Sequence, residues 1–158
     1  MAFKVSRPVQ VQDRGASRLL RDAANAHFQI RLGVFGSEKH EGTEMTIAQL
    51  LEIHELGLGV PERSVLRAWA EKHEADIQND MRAAVRQMLL GRLSPENAAK
   101  LLGVRWVGQL QTFISSGQVQ PPLAQSTIDA KGSSVPLIDT GQLRSSLTYV
   151  ASRLIRGA

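Results

Sequence analysis

The stretch Glu62-Arg63-Ser64-Val65-Leu66-Arg67-Ala68-Trp69-Ala70-Glu71-Lys72-His73 is followed by Ile77, Met81, Ala84, Val85, Met88 and Leu89, ending at Gly91, and keeps apolar side chains three or four residues apart. That is the spacing of one helix face. It predicts a single amphipathic helix over about 62–91, roughly 40 Å long at the α-helical rise. Ser94-Pro95-Glu96-Asn97 comes next. It supplies a capping hydroxyl, a proline suited to the first helical position and an acid in the first turn. Beyond it Ala98, Leu102, Trp106, Leu110, Phe113 and Ile114 form a second stripe that ends near Gly117. Gly103 and Gly108 weaken the middle of this helix. Together the two segments predict an antiparallel helical hairpin over about 62–117.

Working outward, Phe28, Ile30, Leu32 and Val34 alternate with polar or small residues, which predicts a half-buried strand over 28–36. Leu147-Thr148-Tyr149-Val150-Ala151-Ser152-Arg153-Leu154-Ile155 is rich in strand formers and is expected to pair with it. Asp13 can cap a short helix over about 14–26, with Arg14, Arg18 and Arg21 on the side away from Ala16, Leu19, Leu20, Ala23 and Ala24. Thr46 can cap a helix over about 47–56, closed by Gly57. These elements predict an α+β fold: a small antiparallel β-sheet packed with a long helical hairpin, an extended loop and a C-terminal strand. At 158 residues, 1–158 reads as a single domain, with a basic N-terminal arm over 1–27 and a Pro-rich interaction loop over about 118–141.

Charge and composition narrow the function. The formal net charge is +4, but it is split, with +4 over 1–36 and −5 over 37–62. A basic arm therefore precedes an acidic segment. With no cysteine, disulfides, thiolate nucleophiles and Cys-type metal sites are excluded. No apolar run approaches the ~18 residues of a membrane-spanning helix, and Met1-Ala2-Phe3-Lys4-Val5 does not read as the start of a signal peptide, so folding in a cytoplasm is expected. His54-Glu55 starts like a zinc-protease helix, but Leu58 stands where the second His is needed, so no metal is expected. Capping a helix end or meeting a neighbouring subunit explains that pair better. Leu137-Ile138-Asp139-Thr140-Gly141 resembles an aspartic-protease loop, yet Gln142 follows it and the region is helix-rich. A short helix through Gln142-Leu143-Arg144-Ser145-Ser146, capped by Asp139 or Thr140, accounts for it without catalysis. No phosphate-binding loop is present, and with 4% aromatic residues there are few platforms for stacking bases.

Pro121-Pro122-Leu123, Thr127, Lys131-Gly132, Pro136-Leu137-Ile138-Asp139-Thr140-Gly141, Leu143 and Ser146-Leu147 form one block of a further pattern. Ile47-Ala48, His54-Glu55-Leu56-Gly57 and Pro61-Glu62-Arg63 form another upstream. In order and spacing the two resemble the tail-completion, or neck, proteins of long-tailed bacteriophages, over about 40–155. The chain departs from that pattern at Leu56, where Phe is usual, and at Ser64-Val65, where Pro-Phe is usual.

The resemblance implies a virion protein without catalytic activity or cofactor, assembled in the host cytoplasm into a ring at the head–tail junction. Six copies are expected from the symmetry of tail tubes, and the portal makes twelve the alternative. Implied partners are other neck proteins, the portal or connector, and the tail tube or its terminator, with non-specific contact to passing DNA. A tail terminator and a nucleic-acid-binding module are the competing readings. Candidate interface residues are Arg14, Arg18 and Arg21 on the basic arm, and Glu38, Glu41, Glu44, Glu52 and Glu55 on the acidic segment, the latter beside His54. Pro121, Pro122, Leu123, Asp139, Thr140, Gly141 and Leu143 are the candidates on the loop. Opposite charges on different segments suit a head-to-tail ring contact.

Overall fold

The computed structural model describes residues 15–25, 27–122 and 141–153. In chain order the elements are α1 (Ala16–Ala24), β1 (Phe28–Gly33), α2 (Ile47–Leu56), α3 (Val65–Lys72), α4 (Glu74–Leu89), α5 (Pro95–Ser115), α6 (Gln142–Ser146) and β2 (Thr148–Arg153). The helix α5 is the hub, touching α3, α4, α6 and both strands. Its buried side chains Trp106, Leu110, Phe113 and Ile114 meet Ile47 and Leu51 of α2, Val65 and Trp69 of α3, Val119, and Leu143 and Leu147 in one core. The expected α+β architecture is present, as a two-stranded antiparallel sheet packed with helices.

Sequence and structure agree most closely where the signal is local. Ser94 Oγ accepts the Asn97 N–H and Pro95 opens α5, as the capping pattern predicts. Strands β1 and β2 pair from Phe28 opposite Arg153 to Gly33 opposite Thr148. Phe28, Ile30 and Leu32 are half-buried while Gln29 and Arg31 are exposed, the alternation expected of a sheet with one covered face. The strand is shorter than its predicted span, ending at Gly33 rather than 36.

The expected single helix over 62–91 is two. His73, at φ −106° and ψ 17°, separates α3 from α4. Amide bonds continue across the break, from His73 N–H to the Trp69 carbonyl and from Ile77 N–H to the His73 carbonyl. The apolar spacing therefore stays in phase and conceals the bend. The bend lets α3 insert Val65 and Trp69 into the core while α4 runs along α5. The His73 ring stands edge-on to Phe113 at 6.3 Å, and its Nδ1 meets Asp76 Oδ2 at 3.1 Å, which holds the bent residue from both sides.

Helices α4 and α5 are locked by Asp80, whose side chain is 15% exposed. Its Oδ2 accepts from Arg105 Nε at 2.6 Å and from the Trp106 indole N–H at 3.2 Å. Asp80→Asn keeps the shape and removes the charge, and is expected to lower stability by about 1–2 kcal/mol in urea unfolding. Arg105→Leu should then cost less in the Asp80→Asn background than in the parent, because the two changes share one interaction.

Candidate interaction surface

Helix α2 is fixed at both ends by its own sequence. Thr46 and Gln49 form a reciprocal capping box, with Thr46 Oγ1 accepting the Gln49 N–H and Gln49 Oε1 accepting the Thr46 N–H. At the other end Gly57 takes a left-handed φ of 67°. A Cβ there would lie 2.9 Å from Glu62 Cβ, so glycine is required twice over, by conformation and by space.

The segment after α2 is folded back by polar groups. Glu55 turns its carboxylate onto the N-terminus of α3, accepting from Ser64 Oγ at 2.6 Å and from the Leu66 and Arg67 N–H groups at 3.0 Å each. These amides are the unsatisfied donors of a helix start, where a negative charge is favoured. Arg67 closes the cluster on Glu62 and on Ser64 Oγ. Glu55→Ala should destabilise the fold by about 1 kcal/mol, the usual cost of losing a cap. Amide exchange should accelerate first at Leu66 and Arg67.

Two distant parts of the chain attach to the flanks of α2. Arg63 is only 7% exposed. Its backbone N–H donates to the His54 carbonyl at 2.7 Å, while Nε donates to the Pro121 carbonyl at 2.9 Å and a terminal nitrogen to the Pro122 carbonyl at 3.4 Å. On the other flank Gln142 Oε1 accepts the Glu41 N–H at 3.0 Å and lies 2.8 Å from His40 Nδ1. Ser146 Oγ reaches Glu38 Oε2 at 3.5 Å. Thus 121–122 and 141–142 are each pinned beside α2, and 123–140 is the segment between the pins.

The candidate residues divide accordingly. Glu38, Glu41, Glu44 and Glu52 are exposed, with Glu44 bonded to Lys39, and Arg18 and Arg21 are exposed on α1. Glu55 and the His54 carbonyl serve internal bonds, as the capping alternative expected. Pro121 and Pro122 are exposed but offer their carbonyls inward to Arg63. Leu143 is 3% exposed, so its side chain belongs to the core and is not available at a surface. Gly141, at φ 75°, takes the N-cap position of the predicted short helix α6, in place of the expected Asp139 or Thr140. Arg14, Leu123, Asp139 and Thr140 lie outside the described residues. The start of the expected interaction loop is also structural, since Val119 is buried in the core. The positioning roles of Arg63, Gln142 and Asp80 had no signal in residue spacing, because each partner is between 25 and more than 100 positions away.

A surface groove of about 640 Å³ opens at the N-terminus of α5 beside Phe28, Ser94, Glu96, Lys100 and Arg153. Glu96 and Lys100 pair at 2.6 Å, one turn apart. The side-chain hydrogen bond and charge of Lys100 hold the Glu96 carboxyl below its usual range, and Glu96 raises Lys100 in return. Both side chains are exposed, so solvent screens the pair. Among the described residues no three His, Asp or Glu side chains converge as a metal site, and no helix is long and apolar enough to cross a membrane. Comparison with protein-family models, with curated proteins and with solved structures gives no significant match for this chain.

Proposed function

We propose that this chain is a structural subunit of a ring at the head–tail junction of a long-tailed bacteriophage, a neck or tail-completion protein that joins the filled head to the tail and surrounds the DNA channel. One observation carries the reading. The described residues of the two sequence blocks that resemble this family, far apart along the chain, come together: Arg63 of the first holds Pro121 and Pro122 of the second, and Leu143 and Leu147 share one core with Ile47 and Leu51. A resemblance scattered by chance would have no reason to converge on one set of contacts. The core and polar bonds between the blocks fix the departure and return of 123–140, which suits a segment that engages another neck component. Arg18 and Arg21, with the exposed Glu38, Glu41 and Glu52, supply opposite charges for steering and register between subunits.

The test is the composition of the particle. Mass spectrometry of purified virions should find the chain at a stoichiometry of six or twelve per particle, and a particle reconstruction should place it between portal and tail tube. Density at the head-proximal end of a free tail tube would favour the tail-terminator reading. Absence from particles, together with salt-sensitive binding to DNA by the purified chain, would favour the nucleic-acid-binding reading instead.

A further inference from the structure

Two apolar features of different shape lie in separate parts of this fold. The first is a knob, the turn Leu56-Gly57-Leu58-Gly59-Val60 between α2 and α3, in which Leu56 and Leu58 are 57% and 55% exposed and Val60 is also exposed. It stands on a fixed backbone. The Leu58 N–H donates to the Ile53 carbonyl at 3.0 Å, Gly57 lies against Glu62, and Arg63 N–H returns to His54. Ordering these leucines on a partner therefore costs little conformational freedom.

The second is a groove of about 250 Å³ between α4 and α5, close to the turn that joins them. Ala83, Ala84, Gln87, Leu93, Leu101 and Leu102 line it. The two alanines leave the space that larger side chains would fill. Leu101 and Val104 rise on the outer face of α5, 61% and 62% exposed, the highest values for large apolar residues among those described. At about 250 Å³ the groove is below the ~300–1,000 Å³ of small-molecule pockets.

Charge favours a second copy of this chain as the occupant. The knob belongs to the acidic segment, with Glu52 and Glu62 beside it; in the groove wall Asp80 and Arg105 neutralise each other, and the positive charge comes from the exposed Arg86 and Arg92, next in sequence to the lining residues Gln87 and Leu93. A knob and a groove formed by different residues make a heterologous contact, the kind that repeats around a ring. We propose that the Leu58 knob of one copy seats in the α4–α5 groove of the next, forming the apolar centre of the subunit interface. The proposal deepens the ring reading above, but the contact stands or falls by self-association alone, independently of any place in a virion.

The absence of cysteine from the sequence makes the test direct. Leu58→Cys and Leu101→Cys introduce thiols at exposed positions, and circular dichroism checks that each variant is folded. With a short bismaleimide cross-linker, an equimolar mixture of the two single variants should give covalent dimers, while neither variant alone should. The double variant should give a ladder that stops at the ring size. Cross-linking of Leu58→Cys to itself would mean a symmetric knob-to-knob contact, and cross-linking of Leu101→Cys to itself a groove-to-groove contact. Either result overturns the proposal, as does failure of the mixture to cross-link. In sedimentation, Leu58→Glu should weaken association at least tenfold without changing the circular dichroism spectrum, and unchanged association would also overturn it. A ring that forms through this contact, from a chain that purified particles lack, would keep the interface and reject the neck reading.

Discussion

Gly103→Ala is expected to destabilise the protein by about 3 kcal/mol, the upper end of the cost of overpacking a filled core. A Cβ at Gly103 would lie 2.2 Å from Tyr149 Cδ2 and 2.6 Å from Tyr149 Cγ. The nearest atoms include the root of the ring, so the clash cannot be relieved by swinging a flexible tip. The change also brings a benefit: alanine is better than glycine in a helix interior by about 1 kcal/mol. The steric term wins because β2 is held in register with β1 and cannot slide off α5 without breaking the sheet. At this chain length the thermal midpoint should fall by about 6–12 °C. In a Tyr149→Ala background the clash is absent, and the same Gly103→Ala change should become neutral or stabilising. Additive effects of the two substitutions would refute this account of the α5–β2 contact.

Arg63→Ala should lower stability by about 2–3 kcal/mol, because it removes hydrogen bonds from a charged, buried donor. The guanidinium bridges the segment after α2 to the Pro121 and Pro122 carbonyls, and those prolines follow directly on the buried Val119. The effect should therefore be local before it is global: amide exchange at Gln118 and Val119 should rise well before exchange in α5. Arg63→Lys should recover only part of the loss, since one ammonium cannot reproduce the guanidinium fork that serves two acceptors. Equal loss in Arg63→Lys and Arg63→Ala would assign the whole effect to fork geometry, whereas full recovery by lysine would assign it to charge.

The features legible in the sequence were those whose cause lies within a few residues. Thr46 with Gln49, Gly57, Ser94 before Pro95, the alternation through Phe28, Ile30 and Leu32, and the short helix after Gly141 all act over one turn or one pleat. The pairing of the two strands was also legible, because few other segments carried strand character. The break at His73 was hidden because the bend preserves the apolar phase on both sides. Gly103 looked like a weak point in a helix; in the fold it is where β2 approaches most closely, a role defined by Tyr149 more than forty positions later. Charge counting placed Glu55 on an acidic surface, but a count over a segment cannot say that one carboxylate turns inward to three donors. Leu143 carried the family-like pattern for a structural reason, its place in the core.

The two-stranded sheet also constrains the order of folding. Each paired residue of β1 meets a partner more than a hundred positions away, whereas α4 and α5 are joined by a short turn. Closing so long a loop costs entropy that only the finished pairing repays, so the helical hairpin should form early and the sheet late. During synthesis β1 must wait until Thr148–Arg153 has left the ribosome, and until then its row of amides and carbonyls is open to any other extended chain. Newborn copies, crowded on one messenger, would meet this hazard most. In such company the exposed Gln29 and Arg31, alternating with the apolar face, act as kinetic safeguards: polar side chains on a waiting edge make indiscriminate strand addition less favourable.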